Sequence, residues 1–505
     1  MGFDLHVLIS SILGFLLFML IKHILILRSK AKKTNSKLPP GPRKLPLIGN
    51  IHQLGALPHQ SLAKLAHQYG PLMHMQLGEL SCIVISSQEM AKEVMKTHDL
   101  NFANRPPLLA AEIITYGYKG MTFSPHGSYW RQMRKICTME LLSQNRVDSF
   151  RLQREEELAK FVKDIILSEG SSINLSEKID SLAYGLTSRT AFGAEIEGKE
   201  KYRKLMKDVS KMAGGFSVAD LFPSIGILQV LTGLRKKIEK LHSEMDEILE
   251  NVVRSHREKN LERRDEEETG EDLVDVLLKL QKHGDLEHPL TDTVIKATIL
   301  DIFSAGSDTT FTTLEWAMSE LIKNSNTMKK AQAEIRKVYN KKGYVDEKSL
   351  HKLEYLKSVI KETLRLHAPV SLLLPRQCSE KCEINGYEIP AKSKVIVNAW
   401  SVSRDSKYWN EPMKFSPERF IDSEVDYKGV DFQFIPFGAG RRMCPGITFG
   451  IANLEISLAS LLFYFDWKIP NGAKADELDM NESFGLNVRR KHDLWLVPTT
   501  YHLSG

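Results

Sequence analysis

The chain has 505 residues, 42% hydrophobic and 26% charged, with 31 Gly and 20 Pro, a composition that excludes collagenous, low-complexity and disordered classes. No internal repeat is apparent, and the five cysteines, Cys82, Cys137, Cys378, Cys382 and Cys444, are too few and scattered to staple a chain of this size, which points to a reducing compartment. The net charge is +6, but residues 1–37 alone carry six basic side chains against Asp4, leaving +1 for the other 468 residues, so the body gives no signal for nucleic acid.

No Asp, Glu, Lys or Arg occurs from residue 5 to residue 21. A helix over 7–27 has 21 residues, enough at about 1.5 Å each to cross a hydrocarbon core of about 30 Å, with Lys22 reaching toward the interface. A cleaved secretory signal would place its basic cluster before the apolar run, whereas Arg28, Lys30, Lys32, Lys33 and Lys37 follow it. The segment is expected to be a transmembrane anchor, and the positive-inside rule keeps the basic flank and the rest of the chain in the cytosol. Residues 28–42 read as a basic, proline-rich hinge, since Leu38-Pro39-Pro40-Gly41-Pro42 cannot continue a helix and makes a stiff spacer. The body is then 43–505.

Within the body, short β-branched or alternating runs at 73–77, 83–86 and 394–400 predict strands, too few and too far apart for a large sheet. Helical periodicity predicts helices over 151–167, 234–256, 291–323, 327–339, 353–366 and 447–465. The mixed-charge stretch 256–272 reads as a solvated loop between helices. The expected fold class is mainly α with a minor β-sheet portion.

Several short patterns could carry chemistry. Trp130 and Arg134 are four apart, so on one helix face they could present an indole N–H and a guanidinium to a carboxylate; a core Trp beside a surface Arg is the plainer alternative. In Ala305-Gly306-Ser307-Asp308-Thr309-Thr310 small side chains permit close helix packing, and the Thr309 hydroxyl can bond the Ala305 carbonyl. Glu362 and Arg365, at i and i+3, would be a minor ion pair on any exposed helix. Cys378 and Cys382 could be half a zinc site, but no second Cys/His pair at ligand spacing accompanies them, so a turn before a strand at Ile384 is the simpler reading.

The most informative segment is FGAGRRMCPG, Phe437 to Gly446. With Pro445 at a first helical position, Cys444 would sit at a helix entrance, where unpaired N–H groups favour a thiolate. Gly438, Gly440 and Gly446 would let backbone approach something flat, and Arg442 offers a fixed cation beside it. A thiolate aimed at a large planar metal cofactor fits these features, and a buried cysteine in a turn is the alternative. A phosphate loop does not fit, because Met443 stands where a third glycine is needed.

This segment resembles the haem-binding signature of the cytochromes P-450, haem-thiolate monooxygenases, in the pattern Phe437-x-x-Gly440-x-Arg442-x-Cys444. The likeness runs from the proline hinge to the C-terminus and is strongest to plant A-type members of the seventy-one clan. It implies the cytochrome P-450 fold with one N-terminal transmembrane helix, a helix-rich prism with a small sheet. It also implies haem b with Cys444 as its metal ligand, and cofactor contacts from Trp130, Arg134, Arg376, Phe437 and Arg442. By the same resemblance Asp308 and Thr309 are catalytic and deliver protons to bound dioxygen, while Glu362, Arg365 and Arg419 form a structural triad.

The activity implied is oxidation of a C–H or C=C bond by dioxygen. No dinucleotide-binding unit is evident in the chain, so electrons from NADPH would come from a separate NADPH-cytochrome reductase at the endoplasmic reticulum membrane. Arg131 and Lys135, also four apart, would form part of a basic docking surface for that flavoprotein. Family topology would place the substrate near 102–123, 212–221, 302–309, 368–374 and 483–488, and the uncharged run 368–374 implies a lipophilic substrate positioned by shape. A terpenoid is favoured over flavonoid, phenolic or alkaloid scaffolds. An oxygen-independent isomerase or dehydratase of the same fold, and an anchored helical scaffold without cofactor, are the readings from other classes.

Overall fold

The computed structural model describes Gly14 and residues 37–194, 198–214, 216–262 and 271–502. Apart from Gly14, the expected 7–27 anchor lies outside the described residues, as does the hinge before Lys37. The longer helices in chain order are α1 (Pro58–Tyr69), α2 (Ser128–Lys135), α3 (Arg151–Ile166), α4 (Leu175–Phe192), α5 (Lys199–Met212), α6 (Leu234–Glu262), α7 (Leu273–His283), α8 (Asp292–Lys323), α9 (Ser325–Tyr339), α10 (Glu354–Leu366) and α11 (Ile447–Tyr464). The expected helix-rich body with a small β portion is what forms.

Helix α8 is the axis. It starts where the Thr291 side chain accepts from the Val294 N–H and ends at Asn324, which leaves helical φ/ψ. From Val294 to Ile322 its residues are buried except at Asp301 and 304–309, because α4, α6, α7, α9, α10 and α11 pack around it. A helix enclosed this way must satisfy its own polar side chains. Thr298, Ser307, Thr312 and Ser319 each donate to the carbonyl four residues back. Helix α11 is long and apolar enough to cross a membrane, yet it is mostly buried against α3, α8, α9 and α10.

The largest sheet has order β1-β2-β7-β4. Strands β1 (Leu72–Leu77) and β2 (Leu80–Ile85) form a hairpin, β2 runs parallel to β7 (Lys394–Val397), and β4 (Arg376–Gln377) closes the far edge antiparallel. A second sheet joins β3 (Ile173–Asn174), β11 (Trp495–Thr500) and β8 (Phe465–Lys468). Two hairpins complete the β portion, β5 (Cys382–Ile384) with β6 (Tyr387–Ile389), and β9 (Glu482–Ser483) with β10 (Arg489–Arg490).

Two expectations are corrected. The strand predicted over 394–400 stops at Val397, because the Asn398 side chain accepts from the Ser401 N–H and opens the helical turn Ala399–Val402. The stretch 256–272 is not all loop: α6 continues to Glu262, and His256 is buried between the Val252 carbonyl at 2.8 Å and the Asp272 carboxylate at 2.9 Å. Residues 263–270 lie outside the described residues.

The pair on α10 is not a surface pair. Arg365 donates from Nε and Nη2 to the two Glu362 oxygens at 2.7 and 2.8 Å, and both side chains are fully buried. The Arg419 Nε and the Ser416 N–H also donate to Glu362, at 3.0 and 2.8 Å. Arg365 spends its remaining N–H groups on the carbonyls of Ser403, Pro412 and Lys414, so α10 grips the chain just ahead of the thiol loop. Removing one partner of a buried ion pair leaves the others uncompensated, which costs about 3–5 kcal/mol. Glu362→Ala is therefore expected to lower the unfolding free energy by about that amount and to lose pigment on purification. Lys330→Ala, which breaks the exposed pair with Glu418, is expected to change stability by less than about 1 kcal/mol. Denaturant unfolding of both variants, read by fluorescence and by visible absorbance, checks the contrast.

Candidate active site

The loop 437–446 folds back on itself. Gly438 donates to the Ile435 carbonyl, Met443 to that of Gly440, and the Cys444 N–H reaches the Phe437 carbonyl at 3.0 Å. Phe437 packs on the core edge-to-face with Tyr427, ring centroids 5.3 Å apart. A Cβ at Gly440, where φ is +67°, would lie 2.1 Å from the Met95 carbonyl oxygen. That glycine admits the neighbouring backbone rather than a flat ligand. At Gly446 a Cβ would find the Cys444 sulfur at 3.9 Å.

The helix entrance also differs from expectation. Helix α11 begins at Ile447 with Gly446 as N-cap, so Pro445 precedes the first turn instead of opening it, and the sulfur receives the Gly446 N–H itself. Burial pushes the Cys444 thiol up, while that N–H and the Arg134 guanidinium pull it down. A metal bound to the sulfur would decide the contest for the thiolate.

Four guanidiniums converge beside this loop. Arg442 donates to the carbonyls of Ala103 at 2.7 Å and Ser124 at 2.6 Å, and lies 4.4 Å from the Trp130 ring centroid. Arg134 donates to the Met443 carbonyl at 2.6 Å. Arg376 donates to the Ala439 carbonyl at 2.8 Å and to Asp99 at 3.2 Å. The fourth, Arg105, was not anticipated: it is fixed by the carbonyls of Thr122, Leu374 and Pro375. Burial, then Arg376 and Arg134, holds Arg442 down to about 9, and burial with the charges of Arg442 and Arg376 drives Arg105 well below its ordinary value.

Asp99 is the carboxylate beside this cluster, so the donors exceed the acceptors. The ring of His126 stands 5.2 Å from that of Trp130, and its Nε2 is buried without a hydrogen-bond partner. A planar group with two carboxylates and a metal for the Cys444 sulfur fits this donor set. Haem is such a group, and the residues present fit it.

On the opposite side α8 exposes Ala305 in the middle of its buried length. The helix is unbroken there, and the Thr309 hydroxyl donates to the Ala305 carbonyl at 2.6 Å. Both residues line a cavity that opens to solvent. Each segment expected near the substrate contributes to its wall, through Phe123, Met212, Thr309, Val370 and Leu486 among others. Asp308 also reaches the wall, but its carboxylate is engaged: Ser210 of α5 donates to it at 3.0 Å, and Asn487 and Arg489 donate from beside β10.

Asp301 was missed, although an acid within the apolar run 297–303 is a legible signal. Its Oδ2 accepts the Thr122 N–H at 2.9 Å, and a Cβ on Gly120 would lie 2.5 Å from the same oxygen, so the 115–124 loop lies directly against α8. Burial pushes the Asp301 carboxyl up to about 6, against the hydrogen bonds from Thr122 and Met121 that lower it.

The thiol loop, cationic cluster and helix-lined cavity define a haem-thiolate oxidase. A family model described as Cytochrome P450 matches residues 39–494, and the chain belongs to that family. It is 53% identical over 499 residues to cytochrome P450 71D10 of Glycine max, covering 97% of this chain and 96% of that one. It is 51% identical over 489 residues to tabersonine 6,7-epoxidase isoform 1 of Catharanthus roseus, covering 96% of each. A solved zebra fish cytochrome P450 with abiraterone is 24% identical and superposes with a TM-score of 0.73 over 89% of this chain and 100% of that one, a likeness of fold alone. The protein is thus an oxidoreductase of the monooxygenase class with haem b as cofactor, its electrons coming from NADPH through a reductase.

The Asp301 assignment gives a pH signature. With its pKa near 6 in the folded protein and about 3.9 when unfolded, the stability it contributes is present below about pH 4 and is lost as pH rises through about 6. Asp301→Asn keeps an acceptor for the Thr122 N–H and is expected to abolish that decline, worth less than about 3 kcal/mol. Thermal unfolding midpoints of both proteins across this range measure it.

Proposed function

We propose that this chain is a membrane-anchored monooxygenase of plant specialised metabolism that oxidises a lipophilic substrate, a terpenoid in class. The observation that carries the reading is the pairing of the Cys444 sulfur, in a loop flanked by four clustered guanidiniums, two of them buried, with a largely apolar chamber walled by the Ala305–Thr309 turn. Residues 7–27 anchor the chain in the endoplasmic reticulum membrane, 28–42 form the hinge, and 43–505 are the catalytic domain in the cytosol. Exposed Arg131 and Lys135 on α2, with Arg441 nearby on the thiol loop, suit the docking of an acidic reductase.

When bound, haem supplies the activation of dioxygen. Cys444 would supply the thiolate that holds its metal, with the Gly446 N–H moderating the charge on sulfur. Trp130, Arg134, Arg376 and Arg442 would hold its two carboxylates, with the Arg105 charge close to Arg376 and Arg442. Phe437 would flank the group from the loop, where its carbonyl accepts the Cys444 N–H. On the substrate side the Thr309 hydroxyl holds a proton at the turn facing the chamber. Asp308 is held by Ser210, Asn487 and Arg489, and by exchanging those partners its carboxylate would relay protons from solvent.

Thr309→Ala removes the hydroxyl without touching the sulfur, the guanidiniums or the apolar wall. Haem content and substrate binding are expected to be retained, while product formed per NADPH falls about tenfold or more, within what loss of a positioned proton donor can cost, and peroxide rises as product falls. The measurement is product, peroxide and NADPH in one vessel, after co-expression with a plant reductase and a panel of terpenes, flavonoids and alkaloids. Unchanged coupling removes Thr309 from the proton path. Turnover without dioxygen would favour an isomerase, and products from the alkaloid arm alone would overturn the terpenoid class.

A further inference from the structure

Cys378 and Cys382 belong to neither side of the haem site and have no role in the chemistry above. Cys378 follows β4 and is fully buried, in the apolar cluster beneath the main sheet. Cys382 opens β5, half-buried at the edge of the same cluster, and the turn 379–381 between them is exposed. Backbone bonds fix both ends: Cys378 donates to the Ser393 carbonyl and accepts from Lys392, while Cys382 pairs with Ile389. The two thiols interact across the turn and share Asn101 as a neighbour, and the Cys378 S–H donates to the Glu380 carbonyl at 3.0 Å.

A metal does not account for the pair. A structural zinc site needs four ligands, and among the described residues the group of three potential ligands close enough to hold an ion is His256, Asp272 and Asp275, not one containing these cysteines. Plain packing explains Cys378 but not a second thiol turned toward it from the solvent side.

We propose that Cys378 and Cys382 form a peroxide-sensitive dithiol, a modification site at which hydrogen peroxide converts the two thiols into a disulfide across the turn 379–381. Cys382, the more exposed, attacks one peroxide oxygen. The O–O bond breaks, the departing oxygen leaves as water with the thiol proton, and Cys382 becomes a sulfenic acid. The Cys378 sulfur then attacks the Cys382 sulfur, the S–S bond forms, the S–O bond breaks, and the hydroxyl leaves as water with the Cys378 proton. Two thiols lose two electrons and one peroxide becomes two waters. The interaction with Cys378 and a contact from Asn101 lower the Cys382 thiol, as an attacking thiol requires, and the same pairing raises Cys378. Peroxide is also what dioxygen becomes when reduction fails to oxidise substrate, so the oxidant arises at this protein.

The position gives oxidation a route to the haem site. Asn101 clasps the turn, donating to the Glu380 carbonyl at 2.8 Å and accepting the Glu380 N–H at 2.7 Å. Its side chain also contacts the Cys378 sulfur. Two residues earlier Asp99 holds Arg376 and the Arg441 N–H. A disulfide takes the Cys378 sulfur from Glu380 and Asn101 and shifts the clasp.

The test uses the purified, reduced holoenzyme. After a brief exposure to hydrogen peroxide and quenching with catalase, free thiols are blocked with N-ethylmaleimide and tryptic peptides are mapped by mass spectrometry. Cleavage at Lys381 separates the two cysteines, so a disulfide appears as residues 377–381 joined to 382–392, and it is expected to vanish on reduction with dithiothreitol. In the reduced enzyme Cys382 is expected to alkylate at least tenfold faster than Cys82 or Cys137. Cys378→Ser is expected to yield no joined peptide and a dimedone adduct at Cys382. The proposal is overturned if the joined peptide is absent while Cys382 stays free or passes to a sulfinic acid, or if Cys82 or Cys137 oxidises first.

Discussion

The carboxylate of Glu362 holds together the part of the molecule from which the thiol loop hangs. It accepts from two arginines and one backbone N–H, and it does so in full burial, where each ion alone would cost several kcal/mol of desolvation. Such an arrangement is a poor source of net stability but a strong constraint on register, since every alternative leaves a charge unpaired. Arg365 and Arg419 also lie over Trp409, at 5.1 and 5.9 Å from its ring, and Trp409 packs on Phe420 and Phe434. Phe434 stands just ahead of the loop that carries Cys444. The chain therefore leaves α10, returns beneath it, and enters the sulfur-bearing loop from a fixed point.

The same helix face uses two carboxylates in opposite ways. Asp301 and Asp308 are seven residues apart, two turns of α8, and both border the chamber. Asp301 meets backbone N–H groups and no cation, and burial keeps its proton on to about pH 6. Asp308 meets Arg489, Asn487 and Ser210. One acid fastens the 115–124 loop to the helix, and the other ties the helix to α5 and the 483–490 segment. The walls of the chamber are thus joined by polar contacts although its lining is mostly apolar, which lets the cavity keep its shape without an apolar plug.

Periodicity made α3, α8, α9, α10 and α11 legible to within two residues, because each has one face or a long apolar run to mark it. It missed α4 although α4 lies against α8, because from Ile179 to Phe192 it is buried on nearly every side and offers no polar stripe for a period to appear against. It ended α6 too early at His256, where a titratable side chain reads as surface until its partner Asp272, sixteen residues on, is seen. For the site, Trp130, Arg134, Arg376 and Arg442 were singled out on family motifs, and the structure brings the three arginines together beside the thiol loop, with Arg442 over Trp130. Arg105 was not, since its role depends on carbonyls from two distant segments that no spacing rule connects. The Glu362–Arg365 pair was misjudged on spacing alone, because the i, i+3 rule says nothing about burial.

Burial and neighbours also sort five identical side chains into three kinds. Cys82 and Cys137 are enclosed in apolar surroundings that push their thiols up to about 12, so each behaves as a small hydrophobe and resists oxidation. Cys444 is less enclosed, and an N–H and a guanidinium act on its sulfur, the mark of a thiol meant to carry charge. Cys378 and Cys382 face each other, so the charge one would hold is shared with the other across a turn open to solvent. The odd count that argued against a disulfide scaffold is thereby consistent with one local pair: a pairing of neighbours four apart does nothing to staple a 505-residue body, and its use must lie in being made and broken.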